Sequence, residues 1–157
     1  MQVLVIHKDE IQKDPPLISV LHILADLGCE VRLVTCGVTD AMRDELERKG
    51  ISFIVLDHCM GARGLLAKVA QYRRFKMGVS AVLSKYPDTF LWVEGAQTIL
   101  ALDTLYVKRN YVLQIHELHE TSKRQLRAIG QVIQQARCVF MPEYVRTSIY
   151  QVWFRLK

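Results

Sequence analysis

Hydrophobic positions along the chain fall into two alternating patterns. Short runs rich in Val, Ile, Leu and Phe occur at residues 2–7, 30–36, 51–56, 89–94, 111–116 and 138–141. Runs of that length and composition predict strands, most of them buried on both faces. Between them lie longer segments in which apolar residues recur every three or four positions, the spacing of one helix face. Residues 17–27 carry Leu17, Val20, Leu21, Leu24 and Leu27 and stop at Gly28, a residue favoured just past a helix end. Thr39 or Asp40 can cap a helix that closes at Gly50, because a short polar side chain accepts from the free amides of the first turn. A third helix over residues 63–86 places Leu65, Val69, Tyr72, Val79, Leu83 and Tyr86 on one face and ends before Pro87. Helices over 97–108, 122–135 and 143–156 complete six strand–helix pairs. In the last, Tyr144, Val145, Ile149, Val152, Trp153 and Leu156 are expected to supply the stripe packed on the sheet, with Tyr150 and Phe154 facing outward.

Strict alternation of strand and helix forces parallel pairing, because each helix must carry the chain back across the sheet by a right-handed crossover. The predicted architecture is therefore α/β, a doubly wound, mostly parallel sheet of about six strands with helices on both faces. This is Rossmann-like, and the 157 residues fit one domain spanning 1–157. In such sheets ligands lie beyond the carboxyl ends of the strands. The candidate segments are 7–16, 36–39, 57–64, 94–97 and 116–120, with Pro142 and Glu143.

Composition narrows the class. Half of the residues are hydrophobic and 24% are charged, which is globular usage and excludes a disordered or collagen-like chain. No apolar run approaches the roughly 20 residues of a membrane span. The amino terminus lacks the basic and small-residue pattern of a secretion signal, so a cytoplasmic location is expected. Cys29, Cys36, Cys59 and Cys138 form no C-x-x-C pair and are expected to be reduced core thiols. The net charge is +5, and six basic residues (Arg63, Lys68, Arg73, Arg74, Lys76, Lys85) stand between residues 60 and 87 with no acidic one. The basicity is thus a local patch, which implies an anionic surface or ligand. Only Tyr72, Phe75 and Tyr86 interleave with it and no RNA or DNA motif is present, so no nucleic-acid partner is expected.

Several chemistries lack their motif. The turn after the first strand reads H-K-D-E-I-Q-K-D-P-P, without the glycines that let backbone approach a pyrophosphate, and no G-x-x-x-x-G-K-[ST] occurs. The only glycine-rich turn is Met60-Gly61-Ala62-Arg63-Gly64, whose amides and Arg63 could hold an anion. No G-x-S-x-G elbow is present. His116-Glu117-Leu118-His119-Glu120 is the densest titratable cluster. Its histidines are three apart instead of the four of H-E-x-x-H, and no third ligand is apparent, so no metal is expected there. His116 is instead expected to end the fifth strand and point into the cleft, where imidazole can donate to a sugar or phosphate oxygen. Glu94, Glu117 and Glu143 stand at three different strand ends and could converge.

The order of motifs resembles the N-terminal domain of GT-B glycosyltransferases of the glycosyltransferase 4, or group 1, type, over nearly the whole chain. Leu21-His22-Ile23-Leu24-Ala25-Asp26-Leu27-Gly28-Cys29-Glu30-Val31 resembles the family's leucine-rich helix, glycine and second strand. His116-Glu117-Leu118 resembles its H-E-L after the fifth strand. Ala136-Arg137-Cys138-Val139-Phe140-Met141-Pro142-Glu143 resembles its last strand and the Pro-Ser-Glu before a helix, with Arg137 where Asp is frequent and Glu143 where Ser often sits. The resemblance implies the acceptor-binding half of a nucleotide-sugar-dependent hexosyltransferase that acts on a glycan or lipid-linked acceptor. His116 would be catalytic, and Glu94, Gly95, Glu117, His119 and Glu143 would line the sugar cleft. The donor nucleotide sugar is a substrate, so no cofactor is implied. The family's donor-binding C-terminal domain is not in this chain and would be a partner, in the same longer chain or as a separate subunit. Arg63, Lys68, Arg73, Arg74 and Lys76 would face an anionic membrane surface peripherally. The alternative from another class is a non-enzymatic flavodoxin-like or response-regulator-like binding module. Asp9, Glu10 and Asp57 fit it superficially, but the lysine such a module needs after its fifth strand is replaced by His116-Glu117.

Overall fold

The computed structural model describes residues 1–56 and 64–156. It is an α/β protein with six strands: β1 (Gln2–His7), β2 (Glu30–Thr35), β3 (Ser52–Val55), β4 (Phe90–Glu94), β5 (Tyr111–Gln114) and β6 (Cys138–Phe140). All are parallel, in the order β3-β2-β1-β4-β5-β6. The connecting helices are α1 (Pro15–Asp26), α2 (Asp40–Arg48), α3 (Leu65–Lys85), α4 (Ala96–Leu102), α5 (Lys123–Val132) and α6 (Tyr144–Phe154). The expected doubly wound, Rossmann-like sheet is what the chain forms. Strand order reverses between β1 and β4, which opens a crevice at their carboxyl ends.

Local chemistry places the helix ends. Asp14 caps α1, its Oδ1 accepting from the Leu17 amide at 3.1 Å, with Pro15 and Pro16 as the first helical residues. Proline fits there because its missing amide would be unpaired in any case. Thr39 caps α2 by accepting from the Met42 amide. After β4 the backbone turns at Gly95, with φ 81° and ψ 144°, a conformation open in practice to glycine alone. That turn brings the chain from Glu94 straight into α4 above the crevice.

The core lies in two layers, one on each face of the sheet. Val3, Val5, Val31 and Leu33 pack against Leu17 and Leu21 of α1 and Met42 and Leu46 of α2. Leu4, Ile6, Leu91, Val93 and Leu113 pack against α3, α4, α5 and α6. Chain movement toward β3 therefore uses one face and movement toward β6 the other, as right-handed crossovers require.

The helix expected over 97–108 ends at Leu102, where Asp103 takes a left-handed φ of 55°. Three other expectations change. The outer stripe of α6 is reversed: Tyr150 is fully buried and Phe154 partly so, whereas Tyr144, Val145, Val152 and Trp153 are exposed. The cause is polar. The Tyr150 hydroxyl lies 3.0 Å from the carbonyl oxygens of Glu117 and Leu118, and a buried aromatic with a polar tip serves such groups where an aliphatic side chain cannot. The predicted apolar face of α3 holds only in its second half, where Phe75, Val79, Val82 and Leu83 are buried, while Leu65 and Leu66 are exposed. A helix of 21 residues is about 30 Å long and overhangs strands of about 10–20 Å. Cys138 is exposed on β6, the short strand at the sheet's edge, and is not a core thiol; Cys36 is buried and Cys29 half-buried. Cys59, Asp57, Arg63 and the rest of the glycine-rich turn before Gly64 lie outside the described residues.

Helices α5 and α6 meet at Gly130, where a Cβ would lie 3.0 Å from Phe154 Cε1. Gly130→Leu is expected to lower unfolding stability by about 1–3 kcal/mol through overpacking. Denaturant melts of the two proteins check this.

Candidate functional site

The crevice at the switch point is lined by residues from three strand ends. His7 ends β1, Glu94 ends β4 and His116 follows β5 by two residues; Asp14 reaches in from the start of α1 and Thr98 from α4. These residues, with Lys8, Asp9, Lys13, Gln97, Glu117 and His119 among others, surround a cavity of about 410 Å³. A second cavity of about 530 Å³ adjoins it and shares Gln97, Glu117 and His119, with Arg146 on its far wall. Together they form one groove.

At its floor is a ring of four alternating groups. His7 Nδ1 is hydrogen-bonded to Glu94 Oε2 and lies 4.0 Å from Asp14 Oδ2. His116 Nε2 lies 3.5 Å from Glu94 Oε1 and 3.8 Å from Asp14 Oδ1. The Glu94 side chain is 4% exposed. Burial holds its carboxyl above the ordinary carboxylate range, partly offset by the hydrogen bond and charge of His7; a carboxyl so placed lies where it can hydrogen-bond a bound hydroxyl. His7, Asp14 and Glu94 can also supply ligands to a metal ion, since one such atom from each lies within 4.8 Å of the others.

Outer residues set the state of His116. The Trp92 indole N–H donates to Gln114 Oε1 at 2.6 Å, which turns the Gln114 amide nitrogen toward His116 Nε2 at 3.0 Å. Nε2 therefore accepts, and the neutral ring carries its proton on Nδ1. Arg146 of α6 donates to the His116 carbonyl, so α6 holds the loop through both Arg146 and Tyr150.

The expected site residues separate. Glu94, Gly95, His116, Glu117 and His119 line the groove. Glu143 lines neither cavity and pairs with Arg146 Nε at 2.7 Å. On α3, Lys68, Arg73 and Arg74 are exposed, while Lys76 pairs with Asp103 at 3.2 Å. Sequence reasoning put His7 and Asp14 in a candidate segment without singling them out, and it passed over Thr98, Gln114 and Arg146. Lys8, in the same segment, was not singled out either: it is buried, with its ammonium 4.6 Å from the Tyr72 ring centroid.

His119 adopts a left-handed backbone, φ 57°, and burial lowers the pKa of its imidazole below 6.5, against the raising influence of Glu117 and Glu120. The unfolded chain therefore binds the proton first. Stability is expected to rise with pH between the depressed folded pKa and 6.5, and to be lost as pH falls through that window. His119→Gln is expected to flatten this part of a stability–pH profile taken from urea melts.

Comparison with known proteins gives no match, either to protein-family models or to curated sequences.

Proposed function

We propose that this domain is the acceptor-binding half of a nucleotide-sugar-dependent glycosyltransferase. The observation that carries the reading is the groove at the switch point, whose floor is built of carboxylates, imidazoles and a threonine hydroxyl. A surface dense in fixed acceptors and donors suits a ligand that carries many hydroxyl groups, and the cavity volumes fall in the usual range for small-molecule sites. It suits a diphosphate poorly. Lys8 stands over Tyr72 and Lys13 pairs with Asp9 and Glu10, so the acidic floor is left to attract hydroxyl protons. The donor's phosphates would then be held by a second, donor-binding domain, in line with the family resemblance of the H-E-L motif at His116. The strand order also differs from the 2-1-3-4-5 order of flavodoxin-like modules.

Saturation-transfer NMR tests the assignment with neutral oligosaccharides and nucleotide sugars added separately to this chain. Oligosaccharides are expected to receive saturation and to lose it in Glu94→Gln. Tighter binding of nucleotide sugars than of any glycan would overturn the reading.

A lipid-linked acceptor is favoured by α3, where Lys68, Arg73 and Arg74 are exposed beside Leu65 and Leu66, at 73% and 85% exposure. No described helix is long and apolar enough to cross a membrane, so contact would be peripheral. Each basic group near an anionic surface contributes about 1 kcal/mol, so Arg73→Ala with Arg74→Ala is expected to weaken vesicle binding roughly 30-fold at low salt. Cosedimentation measures it, and equal partitioning to neutral and anionic vesicles would remove the membrane from the proposal.

A further inference from the structure

We propose that His7, Asp14 and Glu94 form a binding site for a divalent first-row transition cation on the floor of the groove. Three rigid positions supply the ligands: the end of β1, the capping residue of α1 and the end of β4. One ring nitrogen of His7 and one oxygen from each carboxylate lie within 4.8 Å of one another. A cation with bonds of about 2.0–2.2 Å draws such a set together with side-chain shifts of about an ångström.

Charge makes the first part of the case. The side chains of Glu94 and Asp14 are 4% and 15% exposed. Among the described residues neither pairs with a lysine or arginine; their charged-group neighbours are the imidazoles of His7 and His116. Gln114 donates to His116 Nε2, so that nitrogen presents a lone pair to the two carboxylates instead of a proton. Clustered acceptors of this kind are costly to bury unless something positive sits among them.

Histidine 7 makes the second part independently. Its side chain is 8% exposed, and Nε2 is buried without a hydrogen-bond partner. In the neutral ring, a proton on Nδ1 serves Glu94 and leaves the Nε2 lone pair without a donor. A proton on Nε2 instead turns the Nδ1 lone pair toward the carboxylate. Either tautomer leaves one lone pair unserved by the protein, where buried histidines that only support a fold have both nitrogens satisfied. With the proton on Nε2, a cation between the two carboxylates accepts the Nδ1 lone pair, since Nδ1 is the ring nitrogen that faces both.

The donor set selects the cation. Imidazole disfavours Mg²⁺ and Ca²⁺, and a mixed nitrogen–carboxylate set suits Zn²⁺ or Mn²⁺. Three protein ligands leave a coordination position open toward the 410 Å³ cavity that all three residues line.

Calorimetric titration of chelator-treated protein with Zn²⁺ and, separately, with Mn²⁺ is the test. One equivalent is expected to bind and to raise the melting temperature. Asp14→Asn retains the helix cap and Glu94→Gln retains the side chain's size. Each is expected to weaken binding by at least the 10–100-fold that loss of an outer-shell partner costs at other metal sites. His22→Ala, on the other face of α1 against Glu45, is expected to leave it unchanged. Absence of binding by the folded protein at millimolar cation overturns the proposal, as does a site whose affinity survives both carboxylate substitutions. Glycan binding, read by NMR in the presence of chelator, reports on the acceptor groove separately.

Discussion

Tyr150→Ala is expected to lower unfolding stability by about 3–5 kcal/mol, the cost of emptying a large aromatic site in a core. The ring is fully buried and packs against Phe154 and Trp153, with centroids 5.4 and 5.8 Å away. Its hydroxyl pKa is pushed up to about 12, chiefly by burial with a contribution from the charge of Glu120, so it stays a donor throughout the neutral range. Removing the ring also leaves the carbonyl oxygens of Glu117 and Leu118 without that donor. Tyr150→Phe separates the two effects: it keeps the packing and is expected to cost about 1 kcal/mol, the usual net worth of a hydrogen bond. Chemical denaturation of the three proteins measures both. A midpoint unchanged in Tyr150→Ala would return α6 to the outward-facing arrangement.

On the function proposed above, His116→Ala is expected to lower kcat for sugar transfer, assayed together with the proposed donor-binding domain, about 10²-fold, with the melting temperature little changed. Loss of one prearranged donor to charge that develops in the transition state has that magnitude. The prearrangement is visible in the chain from Trp92 through Gln114 to His116 Nε2, which makes Nε2 an acceptor and leaves Nδ1–H as the donor, and in the grip of Arg146 on the His116 carbonyl. An unchanged kcat with a changed melting temperature would make His116 a residue of loop structure alone.

The fold was legible because the strands are short β-rich runs, most of them set off nearby by glycine, proline or a capping residue. Gln2–His7 matches its predicted bounds, and the others shift by one or two residues at their ends. The site was half legible. Strand-end logic reached Glu94 and His116, because each stands at or just past the end of a hydrophobic run. It could not reach the pairing of His7 with Glu94, which are 87 residues apart, since only the spatial order of strands makes β1 and β4 neighbours. Asp14 was hidden for a different reason: in sequence it is a capping residue before two prolines, and its second role appears only when α1 is set against β4. The α6 error came from counting apolar types alone. The residue that faces inward is the one whose hydroxyl can reach the carbonyl oxygens of a loop from another part of the chain.

The segment after β1 shows how the groove keeps its shape. Where dinucleotide-binding sheets of this strand order use a supple glycine turn, this chain stitches residues 9–11 to residues 35–37. Ile11 N–H donates to the Gly37 carbonyl at 3.1 Å, Cys36 N–H to the Asp9 carbonyl at 3.1 Å, and the Thr35 hydroxyl to the same oxygen at 2.5 Å. Glu10 and Gly37 form a parallel bridge that prolongs the β1–β2 ladder past the strands themselves. This part of the floor consequently belongs to the same cooperative unit as the sheet, and its opening requires rupture of ladder-like bonds instead of a loop fluctuation. A ligand entering from solvent meets a surface already ordered, and its affinity is not diminished by the entropy of arranging it.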